Sequence, residues 1–85
     1  MQINSKNMSN KVKYSFRKGF DKVPGGIQPK VKAEIMEFLN IKTLPAWLAR
    51  LNGKVEPKAS EKEGIEKIFR NHKVTNIWGE TINQS

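Results

Sequence analysis

The segment VKAEIMEFLNIKTLPAWLARLNGK, residues 31–54, constrains the fold of this 85-residue chain more than any other segment. Apolar side chains recur in it at intervals of three and four residues, the spacing of one face of an α-helix. The first stripe consists of Val31, Ile35, Phe38 and Leu39. The second stripe consists of Leu44, Trp47, Leu48 and Leu51. The pattern predicts two short helices, over residues 29–39 and 44–52, each with its apolar stripe buried.

Residues suited to helix ends separate and terminate these two helices. Asn40 tolerates a left-handed conformation and is predicted to end the first helix. Thr43 can cap the second helix with its hydroxyl, and Pro45 is acceptable in a first turn, where amides have no partner within the helix. Gly53 is the expected stop after the second helix, because glycine reaches positive φ without strain. Two helices joined by such a tight turn have the layout of a helix-turn-helix.

A further helix is predicted before this pair, over residues 11–23. The prediction depends on the helical spacing of four apolar residues, Val12, Phe16, Phe20 and Val23. The segment Tyr14-Ser15-Phe16 could instead begin a short strand. Pro24, Gly25 and Gly26 then break the chain, because proline fixes φ and removes a donor while glycine permits left-handed turns.

Another helix is predicted after the pair. Ser60 and Glu63 have the spacing of a capping box, and the helix that they start runs to about His72. Its inward-facing residues are Ile65, Ile68, Phe69 and His72. An apolar tail, formed by Val74, Ile77 and Trp78, is expected to fold back on the helices. These elements predict an all-α domain, a small helix-turn-helix bundle of four to five helices, with Trp47 and Trp78 in its core.

Basic residues are concentrated in the first part of the chain. The whole sequence has 16 Lys and Arg against 8 Asp and Glu, a net charge of +8. Residues 1–33 hold eight basic residues against Asp21 alone, a net +7, whereas residues 34–85 hold eight basic and seven acidic residues, a net +1. Such an asymmetry is typical of proteins that bind a polyanion such as nucleic acid. The expected divisions are a disordered basic arm over residues 1–10, a folded domain over residues 11–78 and a frayed tail over residues 79–85.

Composition argues against several classes of function. The chain has no cysteine, so neither disulfides nor thiolate zinc sites are expected, and its single histidine, His72, has no partners for a metal site. No apolar run approaches the ~20 residues of a membrane span, and the first residues lack the apolar region of a secretory signal. Catalytic sets, phosphate-binding glycine loops and cofactor motifs are absent from the sequence. We therefore expect no enzyme, no cofactor, no small-molecule substrate and no membrane association, and a cytoplasmic, nucleoid-associated protein.

Residues 29–72 resemble the Cro/repressor (Xre-like) family of helix-turn-helix proteins. The resemblance is carried by the small Ala33 in the first helix, the turn Asn40-Ile41-Lys42, the helix end Leu51-Asn52-Gly53-Lys54 and Pro57 before the next helix. It implies a lambda-repressor-like fold in which helix 44–52 enters the major groove of double-stranded DNA. It also implies that Asn52 and Lys54 contact the phosphate backbone, and that the protein is a small transcriptional regulator of phage or mobile-element type.

Phosphate contacts are predicted to dominate over base contacts. The positions that usually read bases in this family fall near Leu44, Pro45, Ala46 and Ala49, none of which can donate two hydrogen bonds to a base edge. Thr43 and Arg50 are the polar side chains of this helix that could reach DNA, and Leu44 or Ala46 could contact thymine methyl groups. Specificity is therefore expected to be weak, to depend on DNA shape, or to be supplied by the N-terminal arm. The predicted DNA-contacting residues are Arg17, Lys18, Lys30, Lys32, Lys42, Thr43, Ala46, Arg50, Asn52, Lys54 and Lys58.

Two other interpretations remain open. The apolar surface of Leu44, Pro45, Ala46 and Trp47 could bind a partner protein, as in an antitoxin-like or adaptor-like interaction module. Alternatively, residues 6–32 could bind RNA or DNA without sequence preference. Helix-turn-helix proteins often act as dimers, and the chain could form a homodimer through Trp78 and Ile82.

Overall fold

The computed structural model describes residues 14–79, and four α-helices make up most of this part of the chain. In chain order they are α1 (Arg17–Asp21), α2 (Gln28–Leu39), α3 (Leu44–Leu51) and α4 (Ala59–Asn71), with a 3-10 turn at Gly25–Ile27 before α2. Within residues 14–79, strand-like pairing is limited to one antiparallel bridge between Ser15 and Gly79. The prediction of a small all-α bundle is confirmed.

The helix predicted over residues 11–23 is wrong in its extent. The described helix is Arg17–Asp21, because Ser15 is paired with Gly79 instead of continuing a helix. Ser15 N–H donates to the Gly79 carbonyl at 3.1 Å, and Gly79 N–H donates to the Ser15 carbonyl at 2.8 Å. The alternative interpretation, a short strand that begins at residues 14–16, therefore agrees better with the structure of this segment. Gly79 is the first residue of the tail that was predicted to be frayed, yet it is hydrogen-bonded to Ser15. The predicted arm lies outside the described part of the chain, as do all of residues 1–13 and 80–85.

The signals at the ends of α2 and α3 are confirmed. Asn40 ends α2 with a left-handed φ of 58°. Thr43 Oγ1 caps α3 by accepting a hydrogen bond from the Ala46 N–H at 3.3 Å. Gly53 follows α3 with a φ of 80°, a conformation that glycine adopts without strain. The turn between the two helices therefore consists of residues 40–43.

The start of α4 lies two residues earlier than predicted. The capping box at Ser60 and Glu63 is wrong, because α4 begins at Ala59 and Ser60 already lies inside it. Glu61 provides the reciprocal contact instead, since its Oε1 accepts a hydrogen bond from the Lys58 backbone N–H at 2.9 Å. Glu61 stands three residues after Lys58, the spacing that lets a carboxylate reach back over the first turn.

An aromatic cluster around Phe16 forms the centre of the core. The Phe16 side chain is 1% exposed, and its ring centroid lies 5.6 Å from that of Trp47, 6.1 Å from that of Phe69 and 6.2 Å from that of Trp78. The predicted burial of Trp47 is confirmed at 3% exposure, and Trp78 is half-buried. Aliphatic residues complete the core, among them Val23, Val31, Ile35, Leu39, Leu51, Ile65, Val74 and Ile77. Helices α3 and α4 and the C-terminal segment therefore meet around one side chain.

Three apolar residues that were predicted to be buried are exposed. The exposed fractions are 46% for Phe38, 56% for Leu44 and 39% for Leu48. Helix α3 has only eight residues, and its buried ones are Trp47 and Leu51. A stripe of four residues is wider than the contact that so short a helix makes with the core. Phe38 lies over Gly64 of α4, where its ring occupies the space that a Cβ would fill. In α4, Ile65 and Phe69 are buried as predicted, whereas Ile68 and His72 are half-buried.

Gly19 in α1 is required by the close approach of the C-terminal segment. A Cβ at this position would lie 2.4 Å from the Cβ of Ile77, and the Gly19 N–H donates to the Ile77 carbonyl at 3.1 Å. We expect Gly19→Ala to lower the free energy of unfolding by roughly 1–3 kcal/mol, the usual cost of overpacking. Gly25→Ala is the matched control, because a Cβ at Gly25 meets open space. Urea denaturation of both variants is the measurement, and equal stabilities would contradict the close approach.

Candidate nucleic-acid interface

Helix α3 presents an apolar side to the exterior. Leu44 and Leu48 are one helical turn apart and both are exposed, as is Pro45 between them. We call this surface of Leu44, Pro45 and Leu48 the α3 face. Ala46, which was predicted to contact DNA, is half-buried. The residues that point outward from α3 therefore offer van der Waals contact and no hydrogen-bond donors.

Lysines stand at both ends of the α3 face. Lys42 precedes α3 and Lys54 follows it; both are exposed, and neither forms an ion pair with another residue of the described chain. Residues 38–55 contain no Asp or Glu. Lys18 on α1 and Lys58 before α4 are exposed as well. Positive charge at the two ends of α3 is therefore not offset by acids within residues 38–55, which favours an anionic partner.

The C-terminal end of α3 brings together three of the predicted DNA contacts. Arg17 Nε donates to Asn52 Oδ1 at 3.0 Å, which places α1 beside the end of α3. The Lys54 backbone N–H donates to the Ala49 carbonyl at 2.8 Å and keeps that residue at the helix end. The Arg17–Asn52 bond uses one N–H of the guanidinium and the oxygen of the amide, and leaves other N–H groups of both side chains as donors. This end of α3 can therefore donate several hydrogen bonds to a phosphate group.

Ser15 anchors the same end of α3, although no sequence pattern indicated it. Its buried side chain donates from Oγ to the Leu51 carbonyl at 2.8 Å. Carbonyls in the last turn of a helix have no partner within that helix, so this bond satisfies an acceptor that would otherwise be buried and unpaired. The two residues are 36 positions apart, a separation at which local spacing carries no information.

Arg50 is engaged inside the protein rather than pointing to a ligand. Its Nη1 and Nη2 atoms donate to the two carboxylate oxygens of Glu61 at 2.9 Å and 3.4 Å. The bidentate ion pair joins α3 to the first turn of α4. The polar reach toward DNA that was predicted for Arg50 is thus already satisfied by Glu61. Thr43 also uses its oxygen as the α3 cap, although its hydroxyl hydrogen can still be donated.

The two predicted contacts on α2 have different surroundings. Lys30 Nζ is 2.8 Å from Glu34 Oε2, and Glu34 Oε1 is 3.0 Å from His72 Nε2. This row of three ionisable side chains joins α2 to the end of α4, a contact that sequence spacing did not indicate. Lys32 instead extends beside α3, with its Nζ 5.8 Å from the centre of the Trp47 ring. Lys32 is therefore the α2 lysine placed near α3, whereas Lys30 is paired with Glu34.

Trp78 is bonded within the chain. Its Nε1 donates to Glu66 Oε2 at 2.7 Å, and its ring meets Tyr14 edge-on at a centroid distance of 6.0 Å. These contacts attach the C-terminal segment to α4 and to the start of the described chain. The homodimer contact through Trp78 and Ile82 stays a prediction, because Ile82 lies outside the described residues.

Among residues 14–79, no group of three or more His, Asp or Glu side chains is placed to hold a metal ion. None of the helices in this range has the length and apolar character that crossing a bilayer would require.

Comparison with known proteins adds no relative, since no family model, no curated protein and no solved structure matches this chain. The resemblance to the Cro/repressor family therefore rests on the motifs in residues 29–72.

The Arg50–Glu61 pair makes the fold sensitive to acid. The Arg50 guanidinium, and after it the Lys58 backbone N–H, holds the pKa of Glu61 below its ordinary value. A carboxyl with a lowered folded-state pKa stabilises the fold above its unfolded pKa of about 4.3, and this contribution is lost as the pH falls through the folded pKa. We expect Glu61→Gln to lower the free energy of unfolding at neutral pH by about 1 kcal/mol and to flatten the loss of stability in acid.

Denaturation over a series of pH values measures this effect. Glu63→Gln is the matched control, because Glu63 is exposed on the same helix and forms no ion pair within residues 14–79. The control should retain the wild-type pH profile. Identical profiles for wild type and Glu61→Gln would show that the pair does not stabilise the fold.

Proposed function

We propose that this protein binds double-stranded DNA as a helix-turn-helix regulator of the Cro/repressor type, with α3 in the major groove. The observation that carries the proposal is the α3 face, which is exposed and has Lys42 and Lys54 at its two ends. No acidic residue in the stretch 38–55 would repel phosphate groups. The protein would act by binding and not by catalysis, as a small cytoplasmic transcriptional regulator of phage or mobile-element type.

The dimensions of α3 suit the groove. An α-helix with its side chains is about 10–12 Å in diameter, and the major groove of B-DNA is about 12 Å wide, so the groove admits a helix such as α3. The turn of residues 40–43 has the length found in helix-turn-helix motifs. With α3 in the groove, α2 would cross the phosphate backbone, as the first helix of such a motif does.

Phosphate contacts would supply most of the affinity. Lys42 and Lys54 lie at opposite ends of α3, so each can reach the backbone at one edge of the groove. Arg17 and Asn52 add donors at the Lys54 end, and Lys32 lies beside α3. Each phosphate that is neutralised releases condensed counterions, so binding should weaken steeply as salt concentration rises.

Internal contacts hold α3 in place before any DNA arrives. Trp47 lies in the aromatic cluster, Ser15 Oγ bonds the last turn, and the ion pair of Arg50 joins α3 to α4. A recognition helix fixed in this way loses little conformational entropy on binding, which supports a docking role.

A protein-interaction module is the second candidate, favoured by the exposure of Leu44 and Leu48. In that case the α3 face would bind an apolar partner surface, as in an antitoxin-like or adaptor-like protein. A nonspecific nucleic-acid binder that uses residues 6–32 is a third candidate, and part of that segment lies outside the described residues. The proposed function differs from both alternatives in one expected result, a salt-dependent affinity for duplex DNA that requires Lys54.

The role of Lys54 can be tested with a pool of random-sequence duplexes. We expect Lys54→Gln to weaken binding and to lower the log–log dependence of affinity on salt by about 0.9, the value of one phosphate contact. Lys67→Gln is the matched control, because Lys67 is exposed on α4 and changes net charge equally. Fluorescence anisotropy at several salt concentrations is the measurement. The proposal fails if both variants bind as the wild type does, or if the wild type does not bind duplex DNA.

A further inference from the structure

We infer that α3 selects DNA by the 5-methyl groups of major-groove pyrimidines, thymine above all, which Leu44 and Leu48 contact. This inference rests on the proposed function and deepens it by naming what the helix reads. The C5-methyl group of thymine is the apolar group that a base pair displays in the major groove. A helix that enters the groove with an apolar side therefore finds its complement in runs of thymine.

The two leucines have the spacing that such contacts require. Leu44 and Leu48 expose 56% and 39% of their surface on the same side of α3. Four helical residues rise about 6 Å, close to the 6.8 Å or so of two base-pair steps at about 3.4 Å each. Each leucine can thus lie against the methyl group of a different base pair in one docked position.

The structure also leaves few donors for hydrogen-bonded base readout from α3. Arg50, the one charged side chain of the helix, is held in its bidentate pair with Glu61. The other outward positions carry Leu, Pro and Ala, which cannot donate from their side chains. Thr43 has a single hydroxyl and uses its oxygen as the helix cap. Discrimination by this helix therefore depends chiefly on apolar contact.

The charges around the α3 face favour DNA over a second copy of this chain. In a two-fold symmetric dimer across this face, the lysines of both copies would be brought together. Lys42 and Lys54 lie at the ends of the face, and residues 38–55 hold no acid that could pair with them. In DNA, the phosphate backbones on the two sides of the major groove would place negative charge next to these two lysines. The thymine methyl groups lie between the two backbones, opposite the leucines.

The experiment compares two pools of random-sequence duplexes that differ in one group. One pool is synthesised with thymidine and the other with deoxyuridine, which pairs identically and lacks the methyl group. We expect the wild-type protein to bind the deoxyuridine pool more weakly, with a loss of about fourfold for each contacted methyl group in those sequences that place thymine at the contact. Leu44→Ala and Leu48→Ala should each reduce this difference, and thermal denaturation checks that both variants remain folded.

Two control variants make the result specific. Ile27→Ala removes an exposed apolar side chain outside α3 and should preserve the difference between the pools. Lys54→Gln should weaken binding to both pools equally, because a phosphate contact is indifferent to the methyl group. Equal affinity of the wild type for both pools overturns the inference while leaving DNA binding intact. Binding to neither pool overturns the proposed function as well, and self-association that Leu44→Ala abolishes would assign the face to a protein partner.

Discussion

The burial of Phe16 is the interaction on which the rest of the structure depends. Helix α1 beside it has five residues, too few to be stable without tertiary contacts. Phe16 supplies those contacts by joining Trp47 of α3, Phe69 of α4 and Trp78 of the C-terminal segment in one cluster. Aromatic pairs at these centroid distances add to the free energy gained from burial alone. A domain this small has one core. The orientation of α3 therefore depends on the contact between Phe16 and Trp47.

Anchoring at one side explains how α3 can be both rigid and exposed. The eight-residue helix places Trp47 and Leu51 in the core and uses Arg50 to hold α4, while Leu44, Pro45 and Leu48 remain exposed. The apolar character of those remaining side chains therefore calls for a different explanation. Contact with an apolar partner surface would provide it, and the lysines at the helix ends are the reason for our proposal that this surface belongs to a polyanion.

Local signals predicted α2 and α3 well because the physical causes of their ends are local. Asn40, Thr43 and Gly53 act within a few residues of themselves, so the bounds of α2 and α3 could be derived from spacing and capping. Exposure was predicted less well: helical spacing marked Leu44 and Leu48 as buried, but the width of a buried stripe depends on how neighbouring helices pack.

Contacts between distant residues could not be predicted from the sequence at all. The bond from Ser15 to Leu51, the pair of Arg50 with Glu61 and the approach of Gly19 to Ile77 each join elements brought together only in the folded chain. The capping error has a related cause, since Glu61 and Glu63 both offer a carboxylate near the start of α4. As a result, the predicted site included the lysines that are exposed at the ends of α3, but it also assigned to DNA an arginine that the fold uses internally.

The bridge between Ser15 and Gly79 has a consequence for the folding reaction. It joins the two ends of nearly the whole described chain, so the loop that must close before these hydrogen bonds form is almost as long as the domain. Closing a long loop costs entropy before any contact compensates for it, so we expect these two hydrogen bonds to form late in folding. A circular permutant of residues 14–79, joined across this bridge and opened in the exposed segment 54–56, would convert that closure into a local turn and fold faster to the same structure.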